Sequence, residues 1–114
     1  MEVRRGDIFL VDLNPVVGTE QAGIRPALVV QIDKANAISP HTITIPLTTR
    51  IRDPILPSHV RIATGIGGLT EDSVLLCEQI RAIDKKRLVR RLGNIGEKNL
   101  EKVAEALKVI LGLE

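Results

Sequence analysis

The sequence has 114 residues, of which 44% are hydrophobic and 26% charged, and its formal net charge at pH 7 is +2. This length fits one domain with a modest core, and the composition excludes a globally disordered chain. No apolar run reaches the ~18 residues of a membrane span, Met1–Arg5 lacks the apolar stretch of a signal peptide, and Cys77 is the only cysteine, so it cannot form an internal disulfide. We therefore expect a single domain over residues 1–114, cytoplasmic and without membrane association.

The first part of the chain is typical of two strands joined by a long loop. Asp7 to Leu13 contains a run of apolar, β-favouring residues, which predicts a strand. Asn14-Pro15 should end it, because proline has no N–H to donate to a β-ladder, and residues 15–23 form a glycine-containing loop. Pro26 to Ile32 is nearly all apolar, which predicts a second strand that is buried on both faces.

The middle of the chain alternates short elements and turns. Asp33 to Ser39 is a connection with room for one helical turn, and Thr42 to Leu47 alternates polar and apolar residues with the period of a half-buried strand. Thr48 to Pro57 is predicted to be a proline-punctuated loop, His59 to Ile62 a short fourth strand, and Gly65 to Gly68 a turn.

Two further strands and a capped turn are predicted next. Ser73 to Glu78 has the composition of a strand, and Arg81 to Ile83 should continue it or pair beside it. Asp84 is placed to cap a helical turn over Lys85 to Leu88, because its carboxylate can accept the free N–H groups there. Val89 to Leu92 predicts one more strand.

The segment from Glu97 to Leu111 has the spacing of an amphipathic helix. Its apolar stripe consists of Leu100, Val103, Ala104, Leu107, Ile110 and Leu111. Several short strands, long loops and a closing helix predict a mainly β protein with helices (α+β). We expect a small, strongly bent antiparallel sheet or open barrel with a C-terminal helix.

Residues that could hold a metal ion or act as a nucleophile are few. His41, His59 and Cys77 are the only soft ligands, and their spacing matches no zinc pattern, so no metal site is expected. Cys77 follows an apolar run and is expected to be a buried, unreactive thiol. Gly65 to Gly68 lacks the Lys-Ser/Thr pair and the following helix of a phosphate-binding P-loop.

Basic residues are clustered although the net charge is small. The cluster consists of Lys85, Lys86, Arg87, Arg90 and Arg91. It is consistent with phosphate binding and equally with a solvated basic face. Phe9 is the only aromatic residue, which disfavours RNA-binding modules that stack bases on aromatic rings.

Arg25 and Thr48 each stand at one end of a predicted strand. Arg25 precedes Pro26, which restricts its backbone to extended conformations, and Thr48 follows the third strand. If these strands are neighbours, both side chains lie at one rim. A guanidinium group matches phosphate oxygens with a planar fork, and a hydroxyl adds a second donor. From the residues alone, a surface ion pair of Arg25 is the simpler interpretation.

Sequence blocks along nearly the whole chain resemble the MazF/PemK family of endoribonuclease toxins, which cut single-stranded RNA. The blocks are Arg5-Gly6-Asp7, Asp12–Gln21, Gly23–Val30, Thr42–Arg50, Leu56–Val60, Asp72-Ser73-Val74 and Glu78–Asp84. The resemblance implies an SH3-like barrel of the CcdB/MazF kind with added helices, in agreement with the fold predicted from the pattern.

The same resemblance implies that Arg25 and Thr48 are catalytic and that Glu20 is a candidate general base. It implies RNA contacts by Gln21, Thr49, Arg50, Leu56, Pro57, Gln79 and Arg81. The implied reaction is sequence-specific cleavage of single-stranded mRNA without metal or cofactor: the ribose 2′-hydroxyl attacks phosphorus, leaving a 2′,3′-cyclic phosphate and a 5′-hydroxyl. Because arginine stays protonated far above neutral pH, we interpret Arg25 as an electrostatic clamp rather than a base.

The resemblance also implies a homodimer and an antitoxin whose disordered, acidic C-terminal segment covers the RNA groove. Two alternatives stay open at this point. One is a CcdB-like gyrase poison of the same fold that cleaves nothing, and the other is a non-catalytic RNA-binding barrel. The presence of both Arg25 and Thr48 favours the nuclease, and the scarcity of aromatic residues disfavours the RNA-binding barrel.

Overall fold

The computed structural model describes residues 1–14 and 23–113. The strands are β1 (Asp7–Asp12), β2 (Ile24–Val29), β3 (His41–Thr48), β4 (His59–Ile62), β5 (Ser73–Leu76), β6 (Arg81–Asp84) and β7 (Leu88–Asn94). The helices are α1 (Asp33–Ile38) and α2 (Glu97–Leu111), and short 3-10 turns span Ile66–Gly68, Cys77–Gln79 and Lys85–Arg87. Within this part of the chain, no helix is long and apolar enough to cross a membrane.

The strands form one strongly bent antiparallel sheet. Its order is β4-β5-β3-β2-β1-β7, and β6 also pairs with β3. β3 is the branching strand: its first half, His41 to Thr44, pairs with β6, whereas Leu47 and Thr48 pair with β5. The predicted fold class, a bent antiparallel sheet with a C-terminal helix, is confirmed.

Alternation of side chains along the strands produces two hydrophobic cores on opposite faces of the sheet. The main core, between the sheet and α2, consists of Ile8, Leu28, Ile45, Leu47, Val60, Ile62, Leu69, Leu75, Cys77, Ile95, Leu100, Val103 and Ala106. The second core, on the other face, consists of Val3, Phe9, Val11, Ala27, Val29, Ile83 and Leu88. Each face of β1 and β2 is therefore apolar, which explains why these strands show continuous hydrophobic runs.

Three sequence-based expectations about the elements were wrong in detail. β2 ends at Val29 rather than at Ile32, and Ile32, at 61% exposed, lies outside the sheet. Arg81 to Ile83 belongs to a strand that pairs with β3 and not with β5, because the 3-10 turn Cys77–Gln79 redirects the chain. The apolar stripe predicted for α2 faces the core only in part: the buried residues are Leu100, Val103 and Ala106, whereas Ile110 at 43% and Leu111 at 50% are exposed.

The capped turn after β6 was predicted correctly. Asp84 Oδ1 accepts a hydrogen bond from the backbone N–H of Lys86 (2.8 Å), at the start of the 3-10 turn Lys85–Arg87. This bond satisfies a donor that the helical turn leaves open. It also fixes the direction in which the chain enters β7.

Candidate functional site

Arg25 lies near the open end of β2, directly opposite Val11 of β1. Its side chain shares a face with Ala27 and Val29, which belong to the second core, because alternate residues of a strand point to the same side. Arg25 is the exposed member of this row. The apolar residues behind it hold the strand in place while the guanidinium reaches the surface.

Thr48 is the last residue of β3 and pairs with Val74 of β5. Its Oγ1 atom accepts a hydrogen bond from the backbone N–H of Arg50 (3.1 Å), which turns the chain out of the strand. A hydroxyl has one donor as well as its acceptor lone pairs. The accepted bond therefore orients Thr48 and leaves its O–H free to donate to a ligand.

The pairing of β2 with β3 relates these two residues. Ala27 lies opposite Pro46 and Leu28 opposite Ile45. The pairing runs from Val29–Thr44 to Ala27–Pro46, and Arg25 and Thr48 each lie two residues beyond its last pair. Alternate residues of a strand share a face, so Arg25 lies on the face of Ala27 and Thr48 on the face of Pro46. The two strands are therefore neighbours, as the sequence-based hypothesis of a shared site requires. We call the ends of β2 and β3 that carry Arg25 and Thr48 the rim.

Beside the rim is an open cleft of about 570 Å³, formed by the loop after β3, by β5 and by the turn that follows it. Its lining residues are Arg50, Arg52, Asp53, Pro54, Ile55, Leu56, His59, Val74, Leu76 and Gln79. We call it the Arg50 cleft. It brings together three predicted RNA contacts, Arg50, Leu56 and Gln79, and it adjoins Thr48 through the Thr48–Val74 pair.

The remaining predicted site residues do not line the Arg50 cleft. Thr49 is exposed and follows Thr48 at the end of β3. Pro57 lines a separate groove of about 430 Å³ between β4 and α2. Arg81 is exposed on β6 opposite Thr44, about four residues and so ~13 Å along β3 from Thr48. Glu20 and Gln21, together with the rest of the predicted 15–22 loop, lie outside the described residues.

The structure reveals a polar cluster that the sequence did not indicate. Glu78 accepts a hydrogen bond from the Ser58 hydroxyl (3.2 Å), and its other oxygen lies 3.1 Å from Nε2 of His59. The carboxylate thus ties the end of the loop that carries Leu56 to the turn that carries Gln79. No signal within either segment could reveal this, because the partners are about twenty residues apart in sequence.

The basic cluster after β6 is largely used within the fold. Arg91 pairs with the buried carboxylate of Asp7 (3.1 Å), and Lys85 donates to the carbonyl of Asn36. Arg87 donates to two backbone carbonyls at the end of β1. Lys85, Arg87 and Arg91 therefore also bond within the fold, whereas Lys86 and Arg90 are exposed on the surface.

The Cys77 thiol and the two histidines do not form a nucleophilic or metal-binding site. Cys77 is fully buried, as predicted, and burial raises the pKa of its thiol to about 11, with the neighbouring Glu78 carboxylate adding to the effect. A thiol with such a pKa is a poor nucleophile at neutral pH. Within residues 1–14 and 23–113, no three His, Cys, Asp or Glu side chains are grouped closely enough to hold a metal ion.

Residues 4–111 match the sequence profile of the PemK-like, MazF-like toxins of type II toxin–antitoxin systems. The chain is 46% identical over 113 residues to the endoribonuclease EndoA of Bacillus subtilis strain 168, covering 99% of this chain and 97% of that protein. It is 44% identical over 111 residues to the endoribonuclease MazF of Staphylococcus saprophyticus, covering 97% and 92%. A crystal structure of MazE–MazF from Deinococcus radiodurans superposes with a TM-score of 0.82 at 25% identity, covering 100% of this chain and 99% of that one.

Proposed function

The chain belongs to the PemK-like, MazF-like toxin family of type II toxin–antitoxin systems, and from this premise we propose that it is an endoribonuclease that cleaves single-stranded mRNA at specific sequences. The high identity to two bacterial endoribonucleases over almost the whole chain supports this activity. The observation that supports the proposal for this molecule is the pairing of β2 with β3, since the adjoining ends of these strands carry Arg25 and Thr48 and a cleft lies beside Thr48.

In the proposed reaction, the 2′-hydroxyl of the ribose before the scissile bond attacks phosphorus. Its proton passes to a base, the bond from phosphorus to the 5′-oxygen breaks, and the leaving oxygen takes up a proton. The products are a 2′,3′-cyclic phosphate and a 5′-hydroxyl end. DNA lacks the attacking group, and an A-form duplex holds the backbone away from in-line geometry, so single-stranded RNA is the substrate.

Arg25 and Thr48 act on the charge that develops in the transition state. The Arg25 guanidinium donates to non-bridging oxygens of the pentavalent phosphorane, and the Thr48 hydroxyl donates to another oxygen. Because its Oγ1 accepts the N–H of Arg50, Thr48 is already oriented before RNA binds. Donors fixed in advance do not need to reorganise during the reaction, which is the main source of their effect.

We assign metal-independent chemistry to this site, since a guanidinium supplies the charge stabilisation that a cation would otherwise provide. Glu20 is the proposed general base. A Glu20→Gln variant with the full rate and an unchanged pH–rate profile would exclude it, because a glutamine cannot accept the 2′-hydroxyl proton.

The RNA flanking the scissile bond is proposed to run through the Arg50 cleft. Arg50 would contact a phosphate, Leu56 would support a base by apolar contact, and Gln79 would hydrogen-bond to a base edge. Gln21, Thr49, Pro57 and Arg81 extend the proposed contact surface on either side. Because the one aromatic residue of the sequence, Phe9, is buried in the second core, base selection then depends on hydrogen bonds and aliphatic contacts.

The proposed partners are a second copy of the chain and an antitoxin. A MazE–MazF structure shares this fold over the whole chain, which supports binding of an antitoxin. A disordered, acidic antitoxin tail would match the arginines of the Arg50 cleft and cover it by folding on binding. The exposed apolar residues of the last α2 turn, such as Val109 at 63%, are consistent with homodimer formation. We place the active protein in the cytoplasm, where mRNA is found.

The test is incubation of the purified chain with a long single-stranded RNA in EDTA. Discrete fragments with 5′-hydroxyl ends are expected from the wild type. Arg25→Ala should lower kcat by ~10³-fold while retaining part of the RNA affinity, whereas Arg90→Ala, which removes an exposed charge on β7, should leave the rate unchanged. Intact RNA together with inhibition of DNA gyrase would overturn the proposal, and so would an Arg25→Ala variant with wild-type activity.

A further inference from the structure

Arg87 is held by a rigid part of the molecule. It ends the 3-10 turn Lys85–Arg87, whose start is capped by Asp84. The backbone N–H of Lys85 donates to the carbonyl of Pro40 (2.9 Å), and its ammonium group donates to the carbonyl of Asn36. These bonds attach the turn to α1 and to the start of β3. Asp84, which caps the turn, also pairs with His41 of β3, so the turn that carries Arg87 is attached to the strand that carries Thr48 at its other end.

The guanidinium of Arg87 reaches across to the end of β1. Its Nη1 atom donates to the carbonyl oxygen of Asp12 (3.1 Å) and to that of Asn14 (2.7 Å). A hydrogen bond of 2.7 Å from a charged donor is at the short, strong end of the protein range. One half-buried cation thus satisfies two backbone acceptors where β1 leaves the sheet.

The end of β1 in turn holds the start of β2. The N–H of Leu13 donates to the carbonyl of Gly23 (3.0 Å), and the N–H of Gly23 donates to Oδ1 of Asn14 (3.1 Å). Asp12 lies opposite Ile24, the residue directly before Arg25. A shift of the β1 end would therefore move the backbone of Arg25 relative to Thr48.

We propose that Arg87 is a positioning residue for the reaction proposed above: by holding the carbonyls of Asp12 and Asn14, it fixes the distance between Arg25 and the Thr48 end of β3. Arg87 does not contact RNA. Its positive charge is directed at the protein backbone, and its effect on catalysis passes through the position of Arg25. The inference rests on the proposed function, which the wild-type rate tests separately.

Positioning and phosphate binding make different kinetic predictions. A residue that orients the catalytic group changes kcat, because misplacement by about 1 Å can lower a rate by ~10²-fold. A residue that neutralises a phosphate changes RNA affinity and lowers the slope of log Kd against log salt by about 1. The two roles can therefore be separated in one set of variants.

The experiment measures kcat, KM and the salt dependence of binding for Arg87→Gln, Arg87→Lys and a matched control, Lys86→Gln. Lys86 is exposed in the same 3-10 turn, so its replacement removes the same charge. Binding is measured with an RNA that carries a 2′-deoxyribose at the cleavage site. We expect Arg87→Gln to lower kcat ~10- to 100-fold with KM and salt slope within twofold of wild type. Arg87→Lys, which keeps a donor for the carbonyls, should recover most of the rate, and Lys86→Gln should match the wild type.

A second background tests whether Arg87 acts through Arg25. In an Arg25→Lys protein, the planar fork is already lost, so adding Arg87→Gln should lower kcat by much less than it does in the wild type. Independent effects that simply multiply would overturn the inference. So would an unchanged kcat for Arg87→Gln, or a raised KM with a reduced salt slope, which would identify Arg87 as a phosphate contact.

If Arg87→Gln does not fold, as judged by far-UV circular dichroism, Arg87→Met carries the test. It keeps a long side chain for packing and removes the donor to the carbonyls of Asp12 and Asn14. A lower kcat at unchanged KM would support the inference, and wild-type kinetics would overturn it. A wild-type chain that leaves RNA intact would instead refute the proposed function, so the two failures are distinguishable.

Discussion

The buried thiol of Cys77 links the stability of the fold to pH. Cys77 is 0% exposed in the main core, and burial raises its pKa from 9.0 to about 11. In the unfolded chain, the thiol ionises near its ordinary pKa. At a pH between 9.0 and about 11, the folded chain keeps a thiol proton that the unfolded chain has lost. Because the unfolded state binds fewer protons in this range, the free energy of unfolding is highest below pH 9.0 and falls as the pH rises towards about 11.

The magnitude follows from the two pKa values. Each pKa unit corresponds to somewhat more than ~1 kcal/mol, so the loss over the whole window from 9.0 to about 11 is ~3 kcal/mol. The same linkage gives a loss of ~2 kcal/mol at pH 10.5 and almost none at pH 8. With a urea m-value of ~1–2 kcal/mol per molar, the difference corresponds to a midpoint shift of about 1 M.

The assay compares urea unfolding of the wild type and Cys77→Ala at pH 8 and pH 10.5. Far-UV circular dichroism is the probe, because the chain has no Trp or Tyr, and the protein concentration is kept constant. The alanine leaves a small cavity and lowers stability at both pH values, but it cannot titrate. We expect the wild type to lose ~2 kcal/mol more than the variant between the two pH values. Losses that agree within ~0.4 kcal/mol would refute the argument that the buried thiol resists ionisation.

Three further predictions concern the rim, a buried carboxylate and a close backbone approach. Arg25→Lys and Thr48→Val should each lower kcat by ~10- to 10³-fold. The loss of kcat in the double variant should be smaller than the product of the two single losses, since both groups stabilise one transition state. A loss equal to that product would show that the two residues act independently. Asp7→Asn should lower the free energy of unfolding by ~2–3 kcal/mol, because the carboxylate is 2% exposed and accepts from three donors; a loss below ~0.5 kcal/mol in urea unfolding would contradict this. Gly68→Ala should cost ~3 kcal/mol or more, since its φ is +79° and a Cβ there would lie 2.2 Å from the Leu92 carbonyl oxygen. The matched Gly65→Ala variant has a φ of +91° and nothing within 4 Å, so equal losses for the two would show that the contact has no effect.

Much of the secondary structure was predictable because its signals are local. The period of apolar residues in Glu97–Leu111 predicted α2 with the observed bounds. Alternation in Thr42–Leu47 predicted β3, and Asp84 predicted the capped turn that follows β6. The sequence blocks also identified the family, which the profile match confirms. Each of these features depends on residues within a few positions of one another.

Features that depend on pairing between distant segments were not predictable in the same way. Arg81 to Ile83 has the composition of a strand, but composition does not say which strand it joins, and it pairs with β3 rather than β5. The Glu78 contacts with Ser58 and His59 and the Arg87 contacts with the end of β1 likewise join residues far apart in the chain.

The sequence by itself therefore determined the fold class, the family and the candidate residues at the rim. Only the tertiary structure decided how those residues stand relative to one another. The physical reason is the hydrogen-bond ladder: backbone groups are the same at every residue, so local sequence leaves the partner strand and its register open, and these are chosen by the burial of both sheet faces together. That choice, which pairs Ala27 with Pro46, brings the strand ends that carry Arg25 and Thr48 next to each other.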